Sequence, residues 1–311
     1  SSNGENKYSK YPLGAHYLPL PNFQDKELLR FLEEEKIILS YDEKGFPVFD
    51  ELQLTFAPDE RLFYKNNWQE GVVPKEGNLA SDDLEFQKFF QKMDVFRKAK
   101  GADQKYLFDI PLYLSSIDEE TRALDKITMK QWFEDNQFSS VPLFNYIDYC
   151  CKDDFGLGID YVSAWAGIHY FAGRKNNWST KYKDQVFTWP EGNARLAKHF
   201  SKYTEGKHMS GNLAFDVTLN DQVEVLSFDN IQKKTKKIIA DKVLFASPQF
   251  VNERIFNHKK AQSFNYVPWL LTTITLKNEF GGDEELAWDN VIYGSSGLGY
   301  IFDQHQNLNQ I

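Results

Sequence analysis

The stretch T-W-P-E-G-N-A-R-L-A, residues 188–197, marks a change in the character of the chain. Its Pro, Glu, Gly and Asn predict a loop that leads into a helix over residues 193–203. Unpaired backbone N–H groups at such a helix start can receive an anion such as a pyrophosphate. Hydrophobic spacing is mostly helical upstream of this stretch and alternates with period two downstream of it. The pattern therefore predicts an α+β fold with a helical body and a β-meander.

The upstream part carries the spacing of several helices, with Asp25 and Ser81 as the predicted N-terminal caps. The predicted helices cover residues 25–37, 81–101, 118–126, 128–135, 141–151 and 161–171. The last two are apolar on nearly every side, which is typical of buried helices.

The downstream part begins with Leu213, Phe215, Val217 and Leu219, which alternate with small or polar residues. This alternation predicts a strand, followed by a turn and a second strand at Val223. Lysines between residues 233 and 237 predict a solvated hairpin tip. Further strands are predicted over residues 238–239, 243–245, 270–276, 290–293 and 299–302, and a further helix over residues 249–256.

Composition excludes several classes of protein. The 311 residues carry a net charge of −9, which argues against nucleic acid or an anionic membrane as the main partner. No apolar run is long enough for a transmembrane helix, and the first residues present carry no apolar signal core. Cys150 and Cys151 are adjacent, so we expect two buried thiols rather than a disulfide framework. Aromatic residues make up 16% of the chain, which indicates a large core, an aromatic pocket, or both.

Patterns for nucleophilic or metal chemistry are weak. No G-x-S-x-G elbow is present, and the six histidines fit no metal-binding spacing, so we predict no metal site. Asp153 and Asp154 can act as paired carboxylates, with His169 in a hydrolase, or simply end a helix before a turn.

Two more segments carry candidate binding groups. Y-P-L-G-A-H-Y-L-P-L-P-N, residues 11–22, is a stiff extended path that either holds His16 and Tyr17 against a ligand or packs as a terminal arm. S-A-W-A-G-I-H-Y-F-A-G-R, residues 163–174, places Ala166, His169 and Tyr170 on one helix face. Its small residues allow either a flat ring or another helix to approach closely.

These three segments, with A-S-P at residues 246–248 and A-W-D-N-V-I-Y and L-G-Y between residues 287 and 300, resemble the flavin-containing amine oxidase superfamily. That superfamily also includes protoporphyrinogen oxidases and phytoene desaturases, and the resemblance points to a bacterial branch of FAD-dependent oxidoreductases of unassigned substrate. It implies a two-dinucleotide-binding-domain FAD fold, with a substrate domain inserted between pieces of the FAD domain.

The resemblance also implies roles for particular residues. Since flavins carry out hydride chemistry themselves, it requires no catalytic acid or base. The substrate is expected to be a small molecule. Residues expected beside the flavin or substrate are Gly14, Ala15, His16, Tyr17, Trp165, His169, Tyr170 and Trp269. Residues expected to contact FAD are Trp189, Glu191, Gly192, Asn193, Phe215, Asp216, Val217, Ser247 and Pro248.

The sequence departs from the family pattern in two ways. The G-x-G-x-x-G unit and the closing Gly-Asp segment are absent, and F-G-L-G-I-D at residues 155–160 does not replace the former. We therefore expect a central portion of such an enzyme that binds FAD poorly and is inactive alone. The expected parts are a flavin-proximal segment (1–20), a mainly helical substrate domain (21–185), a partial FAD domain (186–256) and substrate-domain strands (257–311).

The second departure concerns the reaction. Many amine oxidases carry a lysine in the strand that corresponds to residues 267–276, and this chain has none there. Amine oxidation, desaturation and other C–H oxidations therefore stay open. A different class also stays open, a flavin-independent module that binds a hydrophobic or carbohydrate ligand in an aromatic pocket.

Overall fold

The computed structural model describes residues 3–55, 60–175, 180–182, 185–256, 265–277 and 287–303. The chain divides into two compact units, residues 1–197 with 269–311 and residues 198–268. Both helices and strands are present, which confirms the α+β prediction at the level of content. Among the described residues, we find no helix with the length and apolar character needed to span a bilayer.

The helices and strands are numbered in chain order. The helices are α1 (Lys26–Glu34), α2 (Ala80–Lys98), α3 (Glu119–Ala123), α4 (Met129–Asp135), α5 (Val141–Phe155), α6 (Ala164–Ala172), α7 (Ala194–Tyr203) and α8 (Gln249–Phe256). The strands are β1 (Asn3–Glu5), β2 (Lys10–Pro12), β3 (Tyr17–Pro19), β4 (Ile38–Tyr41), β5 (Pro47–Phe49), β6 (Glu60–Tyr64), β7 (Asn67–Glu70), β8 (Val186–Thr188), β9 (Asn212–Leu219), β10 (Val223–Asp229), β11 (Lys234–Ala240), β12 (Asp289–Ile292) and β13 (Tyr300–Ile301).

Side-chain caps begin five of these helices. Asp25, Asp118, Thr128, Ser140 and Ser163 each accept a hydrogen bond from the backbone N–H three residues later. Such a bond satisfies one of the free N–H groups of the first turn and is worth about 1 kcal/mol. The predicted cap at Asp25 is therefore confirmed.

The predicted cap at Ser81 is wrong. Helix α2 begins at Ala80, so Ser81 already lies in its first turn. The Asp82 carboxylate accepts a hydrogen bond from the Leu79 N–H at 3.1 Å and caps the helix from inside. An acid in the first turn also suits the positive end of the helix dipole.

Helices α2, α4, α5 and α6 surround one hydrophobic core in the first unit. Phe89, Met129, Leu143, Ile147 and Ile168 are buried in it. Complete burial of such a side chain stabilises the fold by about 1.5–3 kcal/mol. The same core encloses both cysteines as free thiols, which confirms the expectation of two buried thiols on a helix.

A second core of the first unit forms where β3 pairs antiparallel with β8. Trp189 and Phe187 stack at its centre, and the Trp189 Nε1–H donates to Gln53 Oε1 at 2.9 Å. The β3–β8 pairing joins the segment of residues 11–22, which we call the arm, to the T-W-P-E-G-N stretch.

A four-stranded mixed sheet in the order β13-β12-β6-β7 completes the first unit, with β12 parallel to β6. Asn290, which is fully buried, joins its strands. The Asn290 Oδ1 accepts from the Arg61 Nε–H at 2.6 Å, and its Nδ2–H donates to the carbonyls of Ala287 and Tyr300. Strand β6 was not predicted; it pairs both with β7, across a short turn, and with β12, more than two hundred residues away.

The second unit contains the antiparallel meander β9-β10-β11, as predicted. The register shifts where Asp216 pairs with Leu226 and Ala214 pairs with Ser227. This β-bulge leaves Phe215 as the extra residue of β9. Helix α8 is also confirmed.

Three predictions about this part of the chain are wrong. The lysines at positions 234, 236 and 237 lie within β11 instead of the hairpin tip, and only Lys233 lies in the turn. The predicted strands over residues 243–245 and 270–276 are irregular, since no described strand pairs with them. Strand-like composition alone does not form a strand without a partner.

We predict that Asn290→Ala lowers the free energy of unfolding by about 2–4 kcal/mol. The change leaves the Arg61 Nε–H and two carbonyls without their partner inside the sheet. The measurement is urea unfolding followed by circular dichroism. The control is Asn67→Ala at an exposed position of β7, which should change stability by under about 0.5 kcal/mol. Equal losses in the two variants would contradict this role for Asn290.

Candidate functional site

The arm is held against the T-W-P-E-G-N stretch by polar contacts to its backbone. The Asn193 N–H donates to the Ala15 carbonyl at 3.0 Å, and the Asn193 Nδ2–H donates to the Tyr17 carbonyl at 2.9 Å. The Thr188 hydroxyl donates to the His16 carbonyl at 3.3 Å. Residues 15–17 are thereby fixed although they lie beside a left-handed Gly14 (φ +149°).

Gly192 makes this close approach possible. Its φ of +56° is strained for residues with a side chain, and a Cβ would lie 2.7 Å from Pro12 Cβ and 2.8 Å from the Ala15 carbonyl oxygen. Glycine is therefore required here both by conformation and by space.

The expectation of free N–H groups at the start of α7 is wrong. The Asn193 N–H is used by the arm, and the N–H groups of Ala194, Arg195 and Leu196 donate to the carbonyls three residues earlier. This loop therefore binds the arm and offers no N–H cradle for an anion.

We predict that Gly192→Ala displaces the arm. The added methyl group must push Pro12 and Ala15 away, so we expect a loss of about 2–4 kcal/mol in the free energy of unfolding and a changed near-UV circular dichroism spectrum. Gly45→Ala is the matched control, because Gly45 has a similar φ of +78° but open space around its Cβ. It should cost only the strain, about 1 kcal/mol. Equal losses of stability in G192A and G45A would show that the close contact between Gly192 and the arm does not contribute to stability.

The arm presents an aromatic cluster. The ring centroids of His16, Tyr17 and Trp288 lie 5.1–5.7 Å apart in edge or tilted geometry. Burial lowers the pKa of His16 and raises the pKa of Tyr17. At neutral pH the cluster is therefore uncharged, with an imidazole and a phenol as its polar groups.

Two buried polar atoms beside this cluster have no hydrogen-bond partner among the described residues. They are Trp288 Nε1 and Asn193 Oδ1. Each unpaired buried group costs about 1–3 kcal/mol, so such atoms are uncommon in folded proteins.

Arg174, at the end of α6, lies on the other side of Tyr17. Its Nη2–H donates to the Tyr17 hydroxyl at 3.4 Å, and its guanidinium lies 5.3 Å from the centroid of the Tyr170 ring. Tyr170 in turn hydrogen-bonds Cys150. The charge of Arg174 thus faces phenol rings rather than a bonded carboxylate.

Asp153 and Asp154 lie in the last turn of α5, which ends with the left-handed Gly156. The prediction that they end a helix is therefore confirmed. Burial, with Asp154 next to it, raises the pKa of Asp153 to about 6. Burial also raises the pKa of Asp154.

Asp289, next to Trp288, has a larger pKa shift than Asp153. Burial raises its pKa to about 8, and the nearby charges of Glu60 and Asp153 add to the effect. Tyr149 forms a side-chain hydrogen bond with it. Asp289 is therefore largely protonated at neutral pH.

We predict that Asp289 makes stability depend on pH. The folded protein binds this proton more tightly than the unfolded chain, so stability falls as pH rises from about 4 to about 8. Asp289→Asn removes the free-energy cost of ionising this buried carboxyl group. It should therefore raise the free energy of unfolding by roughly 1–3 kcal/mol at about pH 8, with little change at about pH 4. Urea unfolding at both pH values measures this. Asp221→Asn, at an exposed turn, is the control that should show no such difference; a D289N gain that is the same at both pH values would contradict the prediction.

His169 and its neighbours on α6 form a separate contact. The His169 ring stacks on Trp165 with centroids 4.9 Å apart, and its Nε2 lies 2.8 Å from the Asp109 carbonyl oxygen. Burial lowers its pKa. The nitrogen faces a backbone carbonyl rather than Asp153 or Asp154, so the geometry does not support an acid–histidine pair of a hydrolase.

The remaining residues that the sequence analysis predicts beside the flavin, the substrate or FAD do not share one environment. Trp189 is fully buried, Glu191 is half-buried, and Trp269 is 57% exposed in an irregular stretch. In the second unit, Phe215 is 44% exposed, Asp216 and Val217 are half-buried, Ser247 contacts Asn252 with its hydroxyl, and Pro248 precedes α8.

Sequence reasoning missed Arg174, Asp289 and Tyr149 as members of this region. Arg174 ends one of the quoted segments, but nothing in the spacing shows that it reaches Tyr17. Asp289 and Tyr149 belong to different elements that only the fold brings together. We find no arrangement of three His, Cys, Asp or Glu side chains that could hold a metal ion within the described ranges.

Comparison with known proteins gives a likeness of fold. No family model matches the sequence, and no curated protein does. Among solved structures, putrescine oxidase bound to putrescine matches with a TM-score of 0.52 and 12% identity over 81% of this chain and 51% of that chain. A triple mutant and a single mutant of putrescine oxidase match with TM-scores of 0.53 and 0.52, at 12% and 14% identity, over 81% of this chain. The fold of this chain is similar to part of putrescine oxidase, and the chain spans about half the length of the chains that it matches.

Proposed function

We propose that this chain supplies the substrate domain and part of the FAD domain of an FAD-dependent oxidoreductase of the amine oxidase type. The enzyme would oxidise a C–N or C–H bond of a small molecule by hydride transfer to the flavin. The fold shared with putrescine oxidase supports this proposal. The segment boundaries at residues 20, 185 and 256 and the weak FAD binding of this chain alone are parts of the same proposal.

The observation that carries it is the pair of unpartnered atoms beside residues 14–17. Trp288 packs its ring on His16 and Tyr17, and Asn193 bonds the backbone of Ala15 and Tyr17, yet Trp288 Nε1 and Asn193 Oδ1 are unused. One is a donor and the other an acceptor, as the polar edge of a flavin ring requires. A Cβ built at Gly14 would meet nothing within 4 Å, so there is room beside the arm. A donor, an acceptor and space beside residue 14 support the placement of a flavin here.

The second unit supports a cofactor role through its β-bulge. Bulges re-aim side chains and are frequent at functional sites. The bulge in β9 sets Phe215 outside the regular pairing, and this is the stretch, with Asp216 and Val217, that we propose for the adenine end of FAD. Ser247 and Pro248 are proposed for the same cofactor, as are Trp189, Glu191, Gly192 and Asn193.

Bound FAD would supply the hydride acceptor, and the residues of this chain would orient the substrate and exclude water. The lowered pKa of His16 keeps its ring neutral, and the raised pKa of Tyr17 and of Tyr170 keeps both phenols protonated. These groups therefore offer aromatic faces and hydrogen-bond donors rather than charge.

The test is the visible spectrum of the complete protein purified from its native gene. We expect the absorbance bands of oxidised flavin and the release of FAD on denaturation. A colourless protein that takes up no FAD in a titration would overturn the proposal.

We predict that Trp288→Phe weakens FAD binding more than it weakens the fold. The change removes the unpaired N–H but keeps an aromatic ring, so the lost packing is partly offset and stability should change by under about 1.5 kcal/mol. FAD affinity of the complete protein should fall about tenfold. Trp132→Phe is the control, because Trp132 is as deeply buried but belongs to the helical core. A larger loss of FAD affinity in W132F than in W288F would contradict the assignment.

A flavin-independent binding module is the second candidate. It is favoured by a depression of about 380 Å³ in the first unit, lined by Phe133, Phe138 and Phe144 among others. A colourless protein contradicts the oxidoreductase and is compatible with the binding module. In such a protein, binding of an apolar dye that disappears in Phe144→Ala would support the module.

A further inference from the structure

The Arg174 side chain is half-buried, and its guanidinium faces the Tyr17 hydroxyl and the Tyr170 ring. Its hydrogen bond to the Tyr17 hydroxyl is long, at 3.4 Å, and its other N–H donors have no partner among the described residues. No carboxylate of the described residues lies within ion-pair distance of it. A half-buried guanidinium loses part of its hydration, and a bound anion would compensate for that loss.

The described acids near Arg174 do not form an ion pair with it. Asp153 and Asp154 influence Arg174 only through longer-range electrostatics, and burial raises the pKa of both. Asp25 uses its carboxylate to cap α1 by accepting from the Leu28 N–H at 3.2 Å. Within the described part of the chain no acid forms an ion pair with Arg174, so its guanidinium can bind a group from outside the chain.

Arg174 also lines a small cavity. It has a volume of about 70 Å³ and lies between the arm, from Leu18 to Asn22, and residues Asp25, Leu28 and Ile110. Its walls are largely apolar, and the Asn22 amide is already used by the Asp109 side chain and the Ile110 carbonyl. A water occupies about 30 Å³ in liquid, so the space holds a group the size of a carboxylate but not a second ring.

Tyr17 connects this cavity to the aromatic cluster. Its hydroxyl contacts Arg174, while its ring packs on His16 and Trp288. A molecule that lies along the Tyr17 side chain would thus have one end at the guanidinium and the other at the proposed flavin-proximal cluster.

We propose that Arg174 anchors the carboxylate of the substrate. This inference rests on the proposed function and specifies its substrate class: a small molecule that carries a carboxylate at the end opposite to the bond oxidised. Arginine suits this role since its planar fork binds both carboxylate oxygens. Putrescine, a diamine with a cation at each end, would place an ammonium group against the guanidinium, so the substrate differs in charge from the ligand of that relative.

The experiment compares two probes that share a ring and differ in charge, phenylacetate and 2-phenylethylamine. Binding to the complete protein is measured by isothermal titration calorimetry, which needs no turnover. We expect phenylacetate to bind about tenfold more tightly or better. Equal or tighter binding of 2-phenylethylamine would overturn the inference.

Substitutions at Arg174 test whether this residue causes the preference for phenylacetate. Arg174→Gln should weaken phenylacetate binding about tenfold, and Arg174→Lys should retain part of it, because the charge remains but the bidentate geometry is lost. Arg122→Gln, at an exposed position of α3, is the matched control and should bind as the unaltered protein does. Full phenylacetate binding by R174Q would overturn the assignment, and if R174Q does not fold, R174K and the probe comparison on the unaltered protein decide.

The visible spectrum separates this inference from the proposed function. A flavin-containing protein that prefers 2-phenylethylamine overturns the carboxylate anchor and leaves the oxidoreductase proposal intact. A colourless protein that prefers phenylacetate overturns the oxidoreductase proposal, and Arg174 then remains the anchor of an anion-binding site.

Discussion

The candidate site depends on the antiparallel pairing of β3 with β8. It joins residues about 170 positions apart in sequence and gives the arm a fixed register, with Tyr17 opposite Thr188. Gly192 and Asn193 complete the attachment, one by leaving space and the other by bonding two carbonyls of the arm. Without this attachment His16 and Tyr17 would belong to a proline-rich segment with no defined partner.

Once the arm is fixed, Tyr17 becomes the centre of two different environments. On one side its ring meets His16 and Trp288, where charge is disfavoured and two polar atoms stay unpaired. On the other side its hydroxyl meets the Arg174 guanidinium. Among the described residues, both sides keep hydrogen-bonding groups without a partner, and such groups are usually paired in folded proteins.

Much of the local structure could be predicted from the sequence. The 3.6-residue spacing and the capping residues predicted the helices, because these signals act within one or two turns. Period-two alternation with close turns predicted the β9–β10–β11 meander for the same reason. Predictions failed at β6, which pairs with the distant β12 as well as with the neighbouring β7, and over residues 270–276, where the strand-like stretch has no described partner.

The sequence by itself determined the helical body, the meander, the buried thiols of α5 and the presence of His16 and Tyr17 on a stiff segment, since each follows from spacing or residue type over a short range. Only the tertiary structure decided that Trp288, Arg174 and Asp289 lie near that segment, and that the N–H groups of the T-W-P-E-G-N loop are already used. Burial and side-chain contacts depend on residues brought together from distant positions, so the raised pKa of Asp289 and the contact of Arg174 with Tyr17 have no signature in any single stretch of sequence.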